Sequence, residues 1–343
     1  MVAKGAVPSP GGADGPSVHF AALDGMRGLL AFGVVFFHFG LNSFLERSLG
    51  FPGFALRLCV DVFFLLSGYV LTHSARRRLD RRRFVIKRIA RLLPVYYACL
   101  VVLIAIMRPP LADWLLITPF YGLELVNGPG WSICAELFFP IAAVLSGLRV
   151  PDRLVRPLLV LVLLALGWLD LPLPVADANH LSRGAVGLLG GHLLYRARLG
   201  WQVSFLSALA TMIGLMAGAM VWPALALLLP FVAALVILGG TGDSGLLTRQ
   251  PFQWLGVLSY TVYLSHWPVL LAMQRLWGQE LGANPALKMA GIATATLAAW
   301  VLTMLVERPG MRLGALGALG GAAGALSRNG DLAAPPGAVK EPE

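Results

Sequence analysis

At 343 residues, with 57% hydrophobic and 13% charged side chains and a mean hydropathy of +0.75, the chain is too apolar to be a water-soluble core. Apolar stretches of about 16–22 residues recur without the alternation of a barrel, so the chain reads as all-α, a polytopic transmembrane helix bundle of about ten spans. The formal charge of +10 is gathered in runs beside apolar stretches, which fits contact with anionic membrane lipid and gives no reason to invoke nucleic acid.

Residues 1–18 are rich in Gly, Pro and Ala and lack an apolar centre, so a disordered N-terminal tail is expected rather than a cleavable signal peptide. The spans follow at 22–44, 54–74, 92–107, 131–148, 157–170, 183–195, 201–219, 222–239, 256–277 and 286–306, inside a membrane domain set at 19–309. Residues 310–343, with Gly-Ala-Leu repeats and then Ala-Ala-Pro-Pro-Gly, are expected to form a low-complexity C-terminal tail. With the N-terminus inside, only Arg47, Arg57, Arg108, Arg183, Arg275 and Lys288 of the 27 Lys and Arg fall outside. The positive-inside bias therefore places both termini in the cytoplasm of a multi-pass protein of the inner (plasma) membrane. Cys59, Cys99 and Cys134 have no metal-ligand spacing; they read as buried free thiols ahead of a Cys59–Cys134 disulfide, and no metal is expected.

Within the spans, the costly residues stand out. Span one carries Arg27 near its start and His38 at its middle, and on a helix the 11 residues between them close three turns plus about 20°, with a rise of roughly 16 Å. Both side chains share one stripe, and a titratable ring in hydrocarbon suggests a task. Between spans two and three, Arg76 to Arg83 read as a topology anchor. By contrast, Phe84, Lys87, Arg88 and Arg91 recur at helical spacing, as a face that could grip the phosphates of a nucleotide-bearing donor. Further in, Asp61 lies near the outer end of span two, Glu136 one and a half turns inside span four, and His266 near mid-depth in span nine. A carboxylate at a helix N-terminus and a histidine hydrogen-bonded between helices are the structural alternatives for the last two.

Taken together, several motifs resemble the acyltransferase-3 family of integral membrane acyltransferases that O-acetylate glycans. They are Leu23-Asp24-Gly25-Met26-Arg27-Gly28 with His38, Val60-Asp61-Val62-Phe63-Phe64 through Ser67-Gly68-Tyr69, and Lys87-Arg88-Ile89-Ala90-Arg91-Leu92-Leu93-Pro94. Trp131-Ser132 with Glu136, Ser259-Tyr260 to Tyr263-Leu264 with His266 and Pro268, and Glu307-Arg308-Pro309 continue the series. Two positions depart from the family pattern: Phe139 stands where Tyr is usual and Cys59 where Gly is common.

The resemblance implies an O-acetyltransferase with no tightly bound cofactor, using acetyl-CoA or another acyl-CoA as co-substrate. The donor's phosphates would meet Arg27, Arg88, Arg91 and Lys87. His38 would act as general base or, in a covalent variant, carry the acyl group. Glu136 would orient His38 or bind a sugar hydroxyl of a carbohydrate acceptor arriving near Trp131 and Ser132. Asp61, Ser67, Tyr69, Tyr260, Tyr263 and His266 would be acceptor or structural polar groups. Some relatives add an extracytoplasmic esterase-like domain; here direct transfer, or transfer through a partner such as a glycan-assembly protein, is expected. The rival class is a transporter or flippase for a glycan or a small anionic solute, since membrane-buried ionisable groups also build substrate pathways.

Overall fold

A computed structural model of the chain describes residues 20–75, 80–108, 128–147, 150–169, 180–242 and 245–318. Among the described residues all regular structure is helical. The helices are α1 Ala21–His38, α2 Leu41–Leu49, α3 Cys59–Ala75, α4 Arg81–Met107, α5 Trp131–Ser146, α6 Asp152–Leu169, α7 His180–Ala197, α8 Phe205–Val221, α9 Leu229–Gly240, α10 Gln250–Trp277, α11 Gln279–Ala283 and α12 Pro285–Leu302. Each expected span overlaps one of the longer helices. Seven apolar segments are long enough to cross a membrane by length and composition, and α8 is a shorter apolar helix. The exceptions have local reasons. Asp152, Arg153 and Arg156 crowd the start of α6, and α7 is diluted by Arg183, His192 and four glycines.

Those glycines serve packing. A Cβ on Gly191 would stand 2.0 Å from the Leu65 carbonyl oxygen, and one on Gly68 would stand 2.2 Å from that of Leu188. Helices α3 and α7 thus meet backbone to backbone, the way small residues join helices where no water drives association. Such a seam offsets the low hydropathy of α7.

Side-chain contacts fix the helix directions. Gly28 lies against Leu255 and Gly256, and His38 against His266, so α1 and α10 run parallel. Helices α3 and α7 are also parallel, with Asp61 at Arg183 and Thr72 at His192. Antiparallel pairs include α4 with α5 (Arg81 at Leu145, Arg88 at Glu136) and α10 with α12 (Ser265 at Ala295, Thr261 at Thr303). Strict alternation of ten crossings produces this same pattern of directions. It also brings Phe20, packed on His73, and Gly314, packed on Ala90, to the same end of the bundle.

Three boundaries differ from the sequence expectation. The first span ends at His38, not at 44: Gly40 adopts a left-handed conformation (φ 73°), and the polar α2 starts a new helix held to the following loop by paired Asn42–Phe54 hydrogen bonds of 2.6 and 3.1 Å. His38 is therefore at the last turn of its helix rather than in the middle of a span. At the other terminus, α12 passes through a π turn at Thr303–Glu307 and continues to Ala318, beyond the expected boundary at 309. Gly310 and Gly314 let that extension pack against Ala90 of α4. The expected N-terminal tail at 1–18, residues 319–343 of the C-terminal tail expected at 310–343, and Arg76, Arg77 and Arg78 lie outside the described residues.

Candidate active site

Polar side chains in the bundle form three tiers along α1. The first, near the start of α1, is Arg27, whose Nη1 lies 3.0 Å from Asp24 one helical turn earlier. Helix α4 supplies the cations beside it. Its N-terminus is capped by Asp80, which accepts from the Arg83 amide at 3.2 Å. The expected phosphate face divides here: Lys87 and Arg91 are exposed, while Arg88 is only 8% exposed. Arg91 is within electrostatic reach of both Arg27 and Arg88.

Arg88 belongs to the middle tier. Its Nε donates to the Glu136 carbonyl at 2.6 Å and its Nη2 to Glu136 Oε2 at 3.4 Å, while Ser67 donates to Oε1 at 3.2 Å. A buried guanidinium and carboxylate each cost several kcal/mol to desolvate, and such mutual bonding makes their burial tolerable. The sequence had set Glu136 toward the outer side and Arg88 at the inner end; the antiparallel crossing of α4 and α5 puts them at one level. Tyr260 donates to the Leu92 carbonyl nearby, and Tyr263 donates to that of Pro129 at 3.2 Å.

Trp131 and Ser132, expected beside an acceptor, are structurally engaged. Trp131 stacks on His180, and Ser132 donates to the Pro129 carbonyl at 3.0 Å. Ser132 and Glu136 line a cavity of about 20 Å³ whose other walls are mostly apolar, including Leu30, Val34 and Phe63. Asp61, 1% exposed, accepts two hydrogen bonds from Arg183. This pairing places Asp61 against α7. Tyr69 packs between Phe20 and Tyr195 at the Phe20 end of the bundle.

The third tier is His38 with His266. Nδ1 of His38 lies 3.1 Å from Nε2 of His266, and Nδ1 of His266 lies 3.2 Å from the carbonyl of Val262, one turn earlier. A carbonyl only accepts, so His266 carries its proton on Nδ1 and offers the lone pair of Nε2. His38 must then donate from Nδ1, which leaves the lone pair on its own Nε2. The edge of Trp267 meets the His38 ring at 5.3 Å, further restricting its orientation. His266 is fully buried, whereas His38 lines an outward pocket of about 510 Å³ together with residues of α2, α10, α11 and α12. The group that meets His38 is thus His266; Glu136 is held by Arg88 and Ser67.

Several participants were not singled out by sequence. Arg183 was read only as a loop charge, and nothing local in the sequence links it to Asp61. Glu307, noted only within Glu307-Arg308-Pro309, is 4% exposed at the end of the π turn, with Oε2 unpartnered among the described residues and Arg91 within electrostatic reach. A carboxylate directly at the end of an apolar span was the available signal. All three cysteines are free and buried, as expected, and among the described residues no cluster suited to a metal ion occurs.

Comparison with known proteins gives this geometry a family. The chain is 24% identical over 318 residues to Peptidoglycan O-acetyltransferase OatA of Listeria monocytogenes, covering 73% of this chain and 49% of that protein, so it spans about half of that relative's length. It is 26% identical over 336 residues to a Komagataeibacter xylinus protein named "Putative membrane-bound transacylase BcsY", covering 84% of this chain and 82% of the relative. It is also 35% identical over 95 residues to Protein 2 in picA locus of Rhizobium radiobacter, covering 26% and 47%. No solved structure matches the chain significantly. The family model described as Acyltransferase domain matches residues 20–305, and the chain therefore belongs to the acyltransferase-3 family.

Proposed function

We propose that the protein transfers an acyl group, acetyl in the simplest case, from cytosolic acyl-CoA to a hydroxyl of an extracytoplasmic or lipid-linked glycan, with His38 as general base. The observation that carries this reading is the hydrogen-bond chain from Val262 through His266 to His38, which leaves a basic nitrogen beside an open polar pocket. In the reaction, His38 Nε2 takes the acceptor's hydroxyl proton as the oxygen attacks the thioester carbon. The C–S bond then breaks, and the departing CoA thiolate recovers the proton from the imidazolium. His266 Nε2, accepting from His38 Nδ1–H, stabilises that imidazolium while it exists.

The charge distribution supports the sidedness. The end of the bundle with Arg81, Arg82, Arg83, Lys87, Arg153, Arg156, Arg196 and Arg198 is assigned to the cytoplasm, and the end with His38 to the opposite face. Arg27, Arg91 and Lys87 then receive the donor's phosphates, and Arg88 contributes by holding Glu136. Between the first and third tiers the wall of α1 is apolar at Leu30, Ala31 and Val34. Such a wall suits a slender thioester arm better than a hydrated glycan. The narrow cavity along it must widen to admit the arm. Glu136, held by Ser67, lines that route and positions the arm's amides or the wall itself.

Sealed membrane vesicles of known orientation test the reading. With acyl-CoA on the cytoplasmic face alone, mass spectrometry of acceptor confined to the opposite face is expected to show the acyl increment, and His38→Ala to abolish it without loss of inserted protein. Labelling that required both substrates on the cytoplasmic face would refute the cross-membrane arrangement. Passage of unmodified glycan with no acylated product would favour the transporter class instead.

A further inference from the structure

The pocket that His38 lines is polar and cationic. Arg47 of α2 and Lys288 of α12 both line it and lie within electrostatic reach of each other. Neither forms an ion pair among the described residues: Arg47 donates to the carbonyls of Ser43 and Gly282, each at 3.0 Å, and Lys288 donates to that of Gly40 at 3.4 Å. No carboxylate lines the pocket among the described residues, although Glu46 and Glu280 sit on the adjoining α2 and α11. Two like charges held together repel, and carbonyl dipoles compensate them only partly. Three separate elements converge to make the arrangement: the left-handed Gly40 turns the chain from α1 into α2, Arg47 ties α2 to the Gly282 end of α11, and Lys288 ties α12 back to Gly40. The result is a basic rim whose floor is the nitrogen base.

We propose that Arg47 and Lys288 form an anion subsite that selects an acceptor carrying a carboxylate or phosphate close to the hydroxyl to be acylated. This rests on the acyl-transfer reading above for its link to catalysis. The planar fork of Arg47 and the ammonium of Lys288 both bind carboxylates and phosphates through charge-assisted hydrogen bonds. A volume of about 510 Å³ accommodates a sugar ring with its acidic substituent, placing a neighbouring hydroxyl toward His38.

The test uses the full chain in lipid nanodiscs, acetyl-CoA, and three soluble acceptors: methyl glucuronide, glucose 1-phosphate and methyl glucoside. Calorimetric binding of the three sugars is measured alongside transfer, so that the subsite is read even where turnover on a small acceptor is undetectable. Wild type is expected to bind at least one anionic sugar about tenfold more tightly than the glucoside. Arg47→Gln and Lys288→Gln are each expected to weaken that binding by on the order of tenfold while leaving the glucoside unaffected. Preference for the glucuronide identifies a carboxylate-bearing acceptor, and preference for the phosphate a phosphorylated one; both support the subsite. Equal binding of all three sugars, or equal losses for all three in the variants, overturns it. His38→Gln separates this from the acyl-transfer reading: it is expected to abolish transfer but keep the anion preference.

Discussion

The histidine relay makes a graded prediction. Replacing His266 by Ala removes the side-chain acceptor for His38 Nδ1–H, 3.1 Å away in the structure, and leaves the ring only its backbone partner at Val34, one turn earlier. In the ground state the lost bond joins two neutral rings and is worth about 1 kcal/mol. In the transition state His38 is becoming cationic, so the same bond becomes charge-assisted and is worth about 1.5–3 kcal/mol. The kcat for acyl transfer reads the difference, about 0.5–2 kcal/mol, and is thus expected to fall by roughly 2- to 30-fold, with the KM for acyl-CoA unchanged because Arg27 and Arg91 are untouched. His266→Gln restores an acceptor oxygen in place of the imidazole nitrogen and is expected to recover much of the loss. His38→Gln removes the base itself and is expected to cost about 10²- to 10⁴-fold. Steady-state kinetics in nanodiscs, with thermal melting as a folding check because His266 is fully buried, measures all three. A well-folded His266→Ala protein with wild-type kcat would refute the relay.

The other tiers make independent predictions. Glu136→Ala leaves the Arg88 guanidinium buried without its carboxylate and is expected to destabilise the fold by about 3–5 kcal/mol, read as a lowered melting temperature, with Glu136→Gln milder because an acceptor remains. Arg91→Ala, at an exposed position, is expected to raise the KM for acyl-CoA about tenfold at an unchanged melting temperature, whereas Arg88→Ala lowers stability as well; identical behaviour of the two would contradict the division between them. Gly191→Ala is expected to cost about 1–3 kcal/mol by overpacking the α3–α7 seam, while Gly214→Ala, where an added Cβ meets nothing within 4 Å, is expected to be neutral or slightly stabilising in the same melting assay. In a double-mutant cycle, Asp61→Asn and Arg183→Gln together are expected to cost less than the sum of the single changes, and strict additivity would show that the pair is not coupled.

Helix existence was legible because apolar length is a sequence property: every expected span met a helix. Ends were less so. The stop at His38 depends on Gly40 taking a left-handed conformation, and Leu41, Phe44 and Leu45 continue an apolar pattern that looks like more of the same span. His38, His266, Glu136 and Asp61 were legible as costly groups in hydrocarbon, and all four are buried or half-buried in the structure. Their partners were not. Which carboxylate meets which cation depends on helix neighbours far apart in sequence, such as Asp61 with Arg183 or His38 with His266, and on whether two helices run parallel or antiparallel.

Helix direction also explains why His38 meets His266 rather than Glu136. The family resemblance implied that Glu136 would orient His38 or bind a sugar hydroxyl. Parallel packing of α1 and α10 instead brings residue 38 level with residue 266, and antiparallel packing of α4 and α5 brings 88 level with 136. A carboxylate beside His38 would hold the ring protonated in a low-dielectric interior, where an imidazolium and its partner separate at great cost. A neutral imidazole imposes the same tautomer without that bias, keeping His38 able to accept a proton. Substituting His266 by Glu is therefore expected to impair transfer at neutral pH by holding His38 as a cation, even though a hydrogen-bond acceptor is retained. Proton NMR of the two imidazole rings, selectively labelled, would show a charged His38 in that variant, and a neutral His38 there would refute the argument.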